Sequence, residues 1–150
     1  MTNEQLIEYA KEARNNACVD ISNFKVGAAL LDKSGKIILG CNIEDPSGIG
    51  VTNICAERCA VVKALSEGYR DFVKIAVVGG LATVGSKDIE RGLSADNGLD
   101  ELIFCAPCGA CRQYLNSWCP QIKVILQDEN GIIKEYSISE LLPYSFNETF

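Results

Sequence analysis

The chain has 150 residues, of which 47% are hydrophobic and 23% are charged, and its formal net charge at pH 7 is −6. This hydrophobic content excludes a disordered chain, and the length suits a single domain, which we expect to span residues 1–150. The excess of acidic residues, without a basic run, argues against DNA, RNA or an acidic membrane as a partner.

Eight cysteines in a short chain could indicate a disulfide framework. However, the N-terminus lacks the basic and apolar stretches of a signal peptide. The longest apolar stretch, residues 75–85, is interrupted by glycines and is too short to cross a bilayer. We therefore expect a cytoplasmic protein whose cysteines stay reduced.

Helical and extended patterns alternate along the chain. Thr2 and Gln5 have the spacing of a capping box, and apolar residues recur after it at helical spacing. Short apolar runs between turn residues indicate strands, and the run at 72–78 is apolar enough for the centre of a sheet. In chain order the predicted elements are a helix at 3–18, strands at 26–31 and 36–43 that form a hairpin, a helix at 54–66, a strand at 72–78, a helix at 108–118, strands at 123–127 and 132–136, and a short helix at 137–142.

This order predicts an α/β fold, with helices on the faces of a sheet of about five strands. Residues 79–102 fit no element, because they are rich in glycine, serine and aspartate. Connections of this length are typically lids, binding loops or mobile linkers.

Three cysteines and one glutamate are the most informative residues. Cys55 and Glu57 lie at the start of one predicted helix, and Cys108 and Cys111 lie at the start of another, where the helix dipole favours thiolates. Three thiolates can bind one zinc ion and leave its fourth tetrahedral position open, as catalytic sites do. We predict one zinc per chain with these three ligands, and Glu57 as a general acid and base that does not bind the metal.

Two polar residues next to this motif are candidates for contacts to the ligands. Three thiolates and one Zn²⁺ sum to a charge of −1, which would weaken the metal's effect on the pKa of water. Arg58 follows Glu57 directly, and we predict that its guanidinium donates to the cysteine sulfurs and offsets this charge. Gln113, two residues after Cys111, is a second candidate for such a contact.

These residues resemble the motifs of a known family, the small homotetrameric cytidine deaminases, and the resemblance covers nearly the whole chain. It implies a three-layer α/β/α fold with a mixed sheet, a zinc cofactor and a small-molecule nucleoside substrate. The implied reaction is the hydrolytic deamination of cytidine or deoxycytidine to uridine or deoxyuridine plus ammonia, a step of pyrimidine salvage. The matching segments are Phe24-Lys25-Val26-Gly27-Ala28-Ala29-Leu30, Asn42-Ile43-Glu44, Cys55-Ala56-Glu57-Arg58, residues 107–113, and Leu141-Leu142-Pro143-Tyr144-Ser145-Phe146.

The resemblance also implies contacts to the substrate. Asn42 and Glu44 would hold the ribose, Phe24 and Ala56 would contact the nucleoside, and Phe146 would contact the base bound in a neighbouring subunit. The active sites of a homotetramer would thus be completed across subunit contacts. The aromatic residues of the tail at 144–150 need burial, either against such a neighbour or on the chain's own core.

Two segments depart from the family pattern. Residues 45–50 replace the usual Asn-Ala-Ser-Tyr-Gly, and the connection between Gly79 and Cys105 is longer than the family's. Either change could alter which base or sugar fits. The alternative substrate is therefore another cytosine-bearing molecule, such as a blasticidin-type aminoacylnucleoside.

Two other classes of protein could carry part of this motif. A structural zinc module would need a fourth ligand, such as Cys59 or Cys105, and would have no use for Glu57. A polynucleotide deaminase would share the zinc site but should show a basic groove and stacking aromatics. The net charge of −6 and the aromatic content of 7% argue against the polynucleotide enzyme.

Overall fold

A mixed five-stranded sheet, in the order β2-β1-β3-β4-β5, forms the centre of the computed structural model, which describes residues 1–82 and 102–147. The elements are α1 (Asn3–Arg14), β1 (Phe24–Asp32), β2 (Ile37–Cys41), a 3₁₀ turn (Gly50–Thr52), α2 (Ala56–Ser66), β3 (Phe72–Leu81), α3 (Gly109–Trp118), β4 (Lys123–Gln127), β5 (Ile133–Ser137) and α4 (Ile138–Leu141). The predicted α/β fold is confirmed, with β3 at the centre of the sheet as its apolar run indicated. Of the predicted long connection, residues 83–101 lie outside the described part of the chain.

Strand directions explain how the two motif segments reach the same side of the molecule. β1 pairs antiparallel with β2 and with β3, β4 pairs antiparallel with β5, and β3 pairs parallel with β4. A parallel pair needs a crossover connection, and the chain between β3 and β4 includes α3. This crossover places α3 on the same face of the sheet as α2.

Each face of the sheet has its own apolar core. On one face α1 packs through residues such as Leu6, Ile7 and Ala10 against Ile125 and neighbouring strand residues. On the other face α2, α3 and α4 share a core built around fully buried strand residues such as Ile75. The three-layer α/β/α arrangement that the family resemblance implied is therefore observed. Within the described residues, no helix has the length and hydrophobicity that crossing a membrane requires.

The first helix ends earlier than predicted, at Arg14 instead of Cys18. Its capping box is present, with Thr2 and Gln5 exchanging backbone and side-chain hydrogen bonds. The end of the helix depends on distant residues, because the backbone N–H of Cys18 donates to the carbonyl of Asn42 (3.0 Å). This pairing requires extended backbone at Cys18 and competes with helical hydrogen bonds.

Close approach of a helix to the sheet requires glycine at position 40. A Cβ atom there would lie 2.5 Å from the backbone nitrogen of Ala60 and nearer still to the carbonyl oxygen of Ala56. The first turns of α2 therefore pack directly on the backbone of β2, which sets the position of the α2 N-terminus.

We expect Gly40→Ala to lower the free energy of unfolding by about 1–3 kcal/mol, because the added methyl group must push α2 away from the sheet. Gly50→Ala is the control, since a Cβ there meets nothing within 4 Å. Denaturant unfolding of the two variants measures the difference, and equal midpoints would contradict this account of the packing.

Candidate active site

Three thiol groups from distant parts of the sequence meet at the starts of two helices. Cys55 is the N-cap of α2, Cys108 is the N-cap of α3, and Cys111 lies in the first turn of α3. Their sulfur atoms all lie within 4.8 Å of one another, and the Sγ atoms of Cys55 and Cys108 are 3.7 Å apart. The structure thus brings together the three predicted metal ligands.

The Cys55–Cys108 pair has the spacing of two ligands in a tetrahedral zinc site. A Zn–S distance of about 2.3 Å corresponds to sulfur atoms about 3.8 Å apart. The separation of 3.7 Å between the Sγ atoms of Cys55 and Cys108 agrees with this value. All eight cysteines lie in the described residues, and neither Cys59 nor Cys105 belongs to the cluster. The donor set therefore fits zinc with three protein ligands, and no fourth cysteine is present to close a structural site.

Hydrogen bonds favour the ionised form of Cys55. Bonds from the Cys111 thiol and from Arg58 lower the pKa of Cys55 to about 5, against the opposing effect of burial. Arg58 donates from Nη2 to the Cys55 Sγ over 3.5 Å, and this bond raises the pKa of the guanidinium. Arg58 therefore contacts the sulfur cluster as the sequence predicted.

The pKa of Cys111 is raised, mainly because its thiol donates a hydrogen bond to Cys55 and because it is buried. Without a metal ion, closely spaced sulfurs must share protons to limit the repulsion between thiolates. A bound divalent cation removes the need for these protons. The chemistry of the cluster is therefore that of a metal site.

Glu57 lies directly beside the thiol cluster and is almost completely buried. Only 4% of the residue is exposed, and its Oε2 atom lies 3.6 Å from the Cys111 sulfur, within hydrogen-bonding distance of it. Burial, together with the nearby Cys55, raises the pKa of Glu57 to about 7. A carboxyl group in this environment can take up and release a proton near neutral pH.

A cavity of about 160 Å³ opens next to the thiol cluster. Asn42 stands in its wall, where the side-chain amide accepts from the Val26 N–H (2.9 Å) and donates to the Phe24 carbonyl (2.9 Å). These two bonds to β1 fix the amide and leave one N–H and one lone pair for a ligand. The lining residues are Val26, Asn42, Cys55, Ala56, Glu57, Cys105, Ala106 and Cys108.

Cys105 lines the cavity, whereas the sequence analysis treated it only as a possible metal ligand. Burial raises the pKa of its thiol to about 12, so it is protonated at neutral pH. A Cβ at Gly79 would lie 2.5 Å from the Cys105 sulfur and 3.0 Å from the Phe24 ring, so these side chains pack at the end of β3. The position of Cys105 three residues before Cys108 was the signal that placed it near the site.

Glu44 and Phe24 do not line this cavity. The Glu44 carboxylate accepts a hydrogen bond from the Ser22 N–H (3.1 Å), and Glu44 lines a different cavity of about 170 Å³. Phe24 lies near Cys105, since both side chains approach Gly79 at the end of β3. Of the predicted substrate contacts, Asn42 and Ala56 are the two that border the cavity.

Gln113 does not contact the sulfur cluster, which corrects its predicted role beside the zinc ligands. Its side-chain amide donates to the Phe146 carbonyl (2.9 Å) and accepts from the Phe146 N–H (3.1 Å). The Gln113 side chain therefore holds the C-terminal tail. The Phe146 side chain itself is 69% exposed.

Comparison with known proteins agrees with this site. Residues 1–127 match the family model described as the cytidine and deoxycytidylate deaminase zinc-binding region. A cytidine deaminase of Halalkalibacterium halodurans is 46% identical over 147 residues, which cover 97% of this chain and 95% of that protein. A blasticidin-S deaminase of Bacillus cereus is 30% identical, over 95% of this chain and 90% of that protein.

The fold agrees with a solved relative as well. The crystal structure of a cytidine deaminase from Burkholderia pseudomallei has a TM-score of 0.78 and 40% sequence identity, and the match covers 97% of this chain and 100% of that one. The sequence match, the shared fold and the cluster of three thiols beside a buried glutamate agree with one another. The chain therefore belongs to the zinc-binding family of cytidine and deoxycytidylate deaminases.

Proposed function

We propose that this protein catalyses the hydrolytic deamination of cytidine and deoxycytidine to uridine and deoxyuridine plus ammonia, as an enzyme of pyrimidine salvage. The observation that carries this proposal is the buried carboxyl group of Glu57 beside three convergent thiols and a small cavity. The high identity to relatives that carry the name cytidine deaminase supports this substrate class.

Cys55, Cys108 and Cys111 would hold one zinc ion per chain. When bound, zinc acts as a Lewis acid that lowers the pKa of a water molecule toward neutrality. The contribution of Arg58 is electrostatic, because its guanidinium offsets part of the thiolate charge and holds the Cys55 sulfur in place.

Glu57 moves the protons of the reaction. Deamination adds water at C4 of the cytosine ring and expels the amino group as ammonia. The Glu57 carboxylate takes a proton from the attacking water and delivers it to N3 as the C4–O bond forms. It then takes the proton of the new C4 hydroxyl and passes it to the amino group, so that the C4–N bond breaks, the C4 carbonyl forms and ammonia leaves. Its place in the cavity wall supports this role, because the carboxylate can reach a bound ring and is shielded from bulk solvent.

The remaining contacts concern the nucleoside. In our proposal Asn42 and Glu44 hold the ribose, and Ala56 and Phe24 shape the space for the base. The side-chain amide of Asn42 is fixed in the cavity wall by two hydrogen bonds, which supports its proposed contact to the ribose. Glu44 follows Asn42 by two residues, on the segment that leads away from β2.

A blasticidin-type aminoacylnucleoside is the second candidate substrate. The similarity to a blasticidin-S deaminase keeps it in consideration, but the similarity to cytidine deaminases is greater. The discriminating experiment measures turnover of cytidine, deoxycytidine, cytosine, blasticidin S and a short single-stranded DNA under the same conditions. Turnover of blasticidin S above that of both nucleosides would replace the proposed substrate.

Exposed apolar side chains support the proposed homotetramer with sites completed across subunits. Tyr144 is fully exposed and Phe146 is 69% exposed, so these two tail rings are not buried on the chain's own core. Val51, directly after the 45–50 segment that departs from the family pattern, is 90% exposed. Burial of such side chains favours association. A reducing compartment such as the cytoplasm suits an enzyme that needs three cysteines as thiolates.

Replacing Glu57 with Gln should lower kcat by roughly a hundredfold or more, because an amide cannot accept and return the proton. The zinc content should stay at one per chain, since Glu57 is not a ligand. Steady-state kinetics and metal analysis measure both quantities. Glu67→Gln, at the exposed end of the same helix, is the matched control and should keep full activity. Near-full activity of the Glu57 variant would refute the assigned role.

Arg58→Ala should lower kcat by about ten- to a hundredfold, because the thiolates lose a compensating positive charge. The thermal midpoint of the metal-free protein should change much less. Arg58→Lys should recover part of the activity, since it restores the charge without the planar donor group. If kcat is unchanged in the alanine variant, the guanidinium has no electrostatic role in the reaction.

Truncation after Pro143 should lower the molecular mass of the assembly and raise KM while zinc content stays intact. Gln113→Ala should shift both quantities in the same direction, because it releases the backbone of Phe146. Light scattering at assay concentration and steady-state kinetics test this. A truncated monomer with an unchanged KM would show that the tail belongs neither to the assembly nor to the substrate site.

A further inference from the structure

Arg112, in the second turn of α3, joins two separate segments of the chain through one side chain. Its Nε atom donates to the carbonyl oxygen of Pro107 (2.7 Å), and its Nη1 atom donates to the carbonyl oxygen of Leu141 (2.6 Å). The guanidinium is partly buried at this junction. Leu141 is the last residue of α4, so its carbonyl is one that the helix itself cannot satisfy.

The bond to Pro107 fixes the backbone next to a predicted zinc ligand. The Pro107 carbonyl and the Cys108 nitrogen belong to the same planar peptide group, so holding one sets the direction of the other. In addition, the backbone N–H of Arg112 donates to the Cys108 carbonyl (2.9 Å). Arg112 thus binds two successive carbonyl groups, that of Pro107 just before Cys108 and that of Cys108 itself.

The ligand on α2 is held in a different way. Immediately before Cys55, the backbones of Ile43 and Ile54 exchange two hydrogen bonds of 2.9 Å. On the α3 side, the backbone bridge joins Gly79 to Ile103, five residues before Cys108. Cys108 is exposed, and its side chain makes no capping hydrogen bond to α3. Strand pairing thus anchors the backbone close to Cys55. Close to Cys108, the guanidinium of Arg112 provides this anchoring instead.

We propose that Arg112 is a positioning residue of the metal site, which holds Cys108 in the geometry of a zinc ligand by binding the carbonyls of Pro107 and Leu141. The inference rests on the proposed role of Cys108 as a ligand. Arginine suits the task because its planar fork carries several donors at fixed angles, and two of them can reach carbonyls on different segments at once. A lysine ammonium offers a single point charge and can replace only part of these bonds.

The experiment compares the zinc affinity of full-length Arg112→Ala and Arg112→Lys with that of the unmodified chain, by competition with a chromogenic zinc chelator. We expect the alanine variant to bind zinc about ten- to a hundredfold more weakly and the lysine variant to fall between the two. Co²⁺ in place of zinc gives a second readout, because the sulfur-to-metal charge-transfer band should weaken as Cys108 leaves the coordination sphere.

Arg70→Ala is the matched control. Arg70 donates to the carbonyls of Leu65 and Tyr69 (2.8 Å each) at the far end of α2, so its removal also costs two bonds to backbone oxygens. The zinc affinity and the cobalt spectrum of the Arg70→Ala protein should equal those of the unmodified chain. An equal loss of zinc affinity in Arg112→Ala and Arg70→Ala would show a general effect on stability and would overturn the inference.

The outcomes separate the inference from the proposed function. If the unmodified chain binds one zinc and the folded Arg112→Ala protein binds it with the same affinity, Arg112 has only a structural role and the inference is wrong. If circular dichroism shows that Arg112→Ala does not fold, the zinc affinity of Arg112→Lys is used instead. A weaker affinity than that of the unmodified chain supports the inference, and an equal affinity overturns it. If Cys108→Ser leaves zinc affinity unchanged, Cys108 is no ligand, and both the proposed site and the role of Arg112 fall.

Discussion

Convergence of three sulfur atoms within 4.8 Å of one another is the constraint on which the rest of the site depends. As thiolates these atoms repel one another, and the fold must hold them together before a cation can bind. Two helix starts direct the positive ends of their dipoles at the cluster, which suits the binding of negative groups there. Arg58 adds a full positive charge at 3.5 Å from the Cys55 sulfur.

The sheet makes this convergence possible. The parallel pairing of β3 with β4 places α3 in a crossover on the same face as α2, so two helices far apart in sequence begin side by side. Gly40 lets α2 approach β2 more closely than a residue with a side chain would allow. The position of the metal site is thus set by backbone packing as much as by the ligands.

One environment gives two acidic groups opposite chemical roles. Cys55 receives hydrogen bonds from Cys111 and Arg58, which stabilise its charged form. Glu57, two residues later, is buried and lies near the negative sulfurs, which destabilises its charged form. A carboxyl group suited to proton transfer and a thiol suited to metal binding can therefore lie on the same turn of one helix.

The sequence by itself determined the α/β class, the order of elements and the residues that meet at the cluster. Capping boxes, apolar periodicity and the spacing of Cys108 and Cys111 are local features, and each is legible within a few residues. The tertiary structure decided where the first helix ends, because Cys18 pairs with the segment after β2. It also decided the partners of Gln113 and Arg112, because hydrogen bonds to Phe146 and Leu141 join residues about thirty positions apart, and no local pattern specifies which distant carbonyl a side chain will reach.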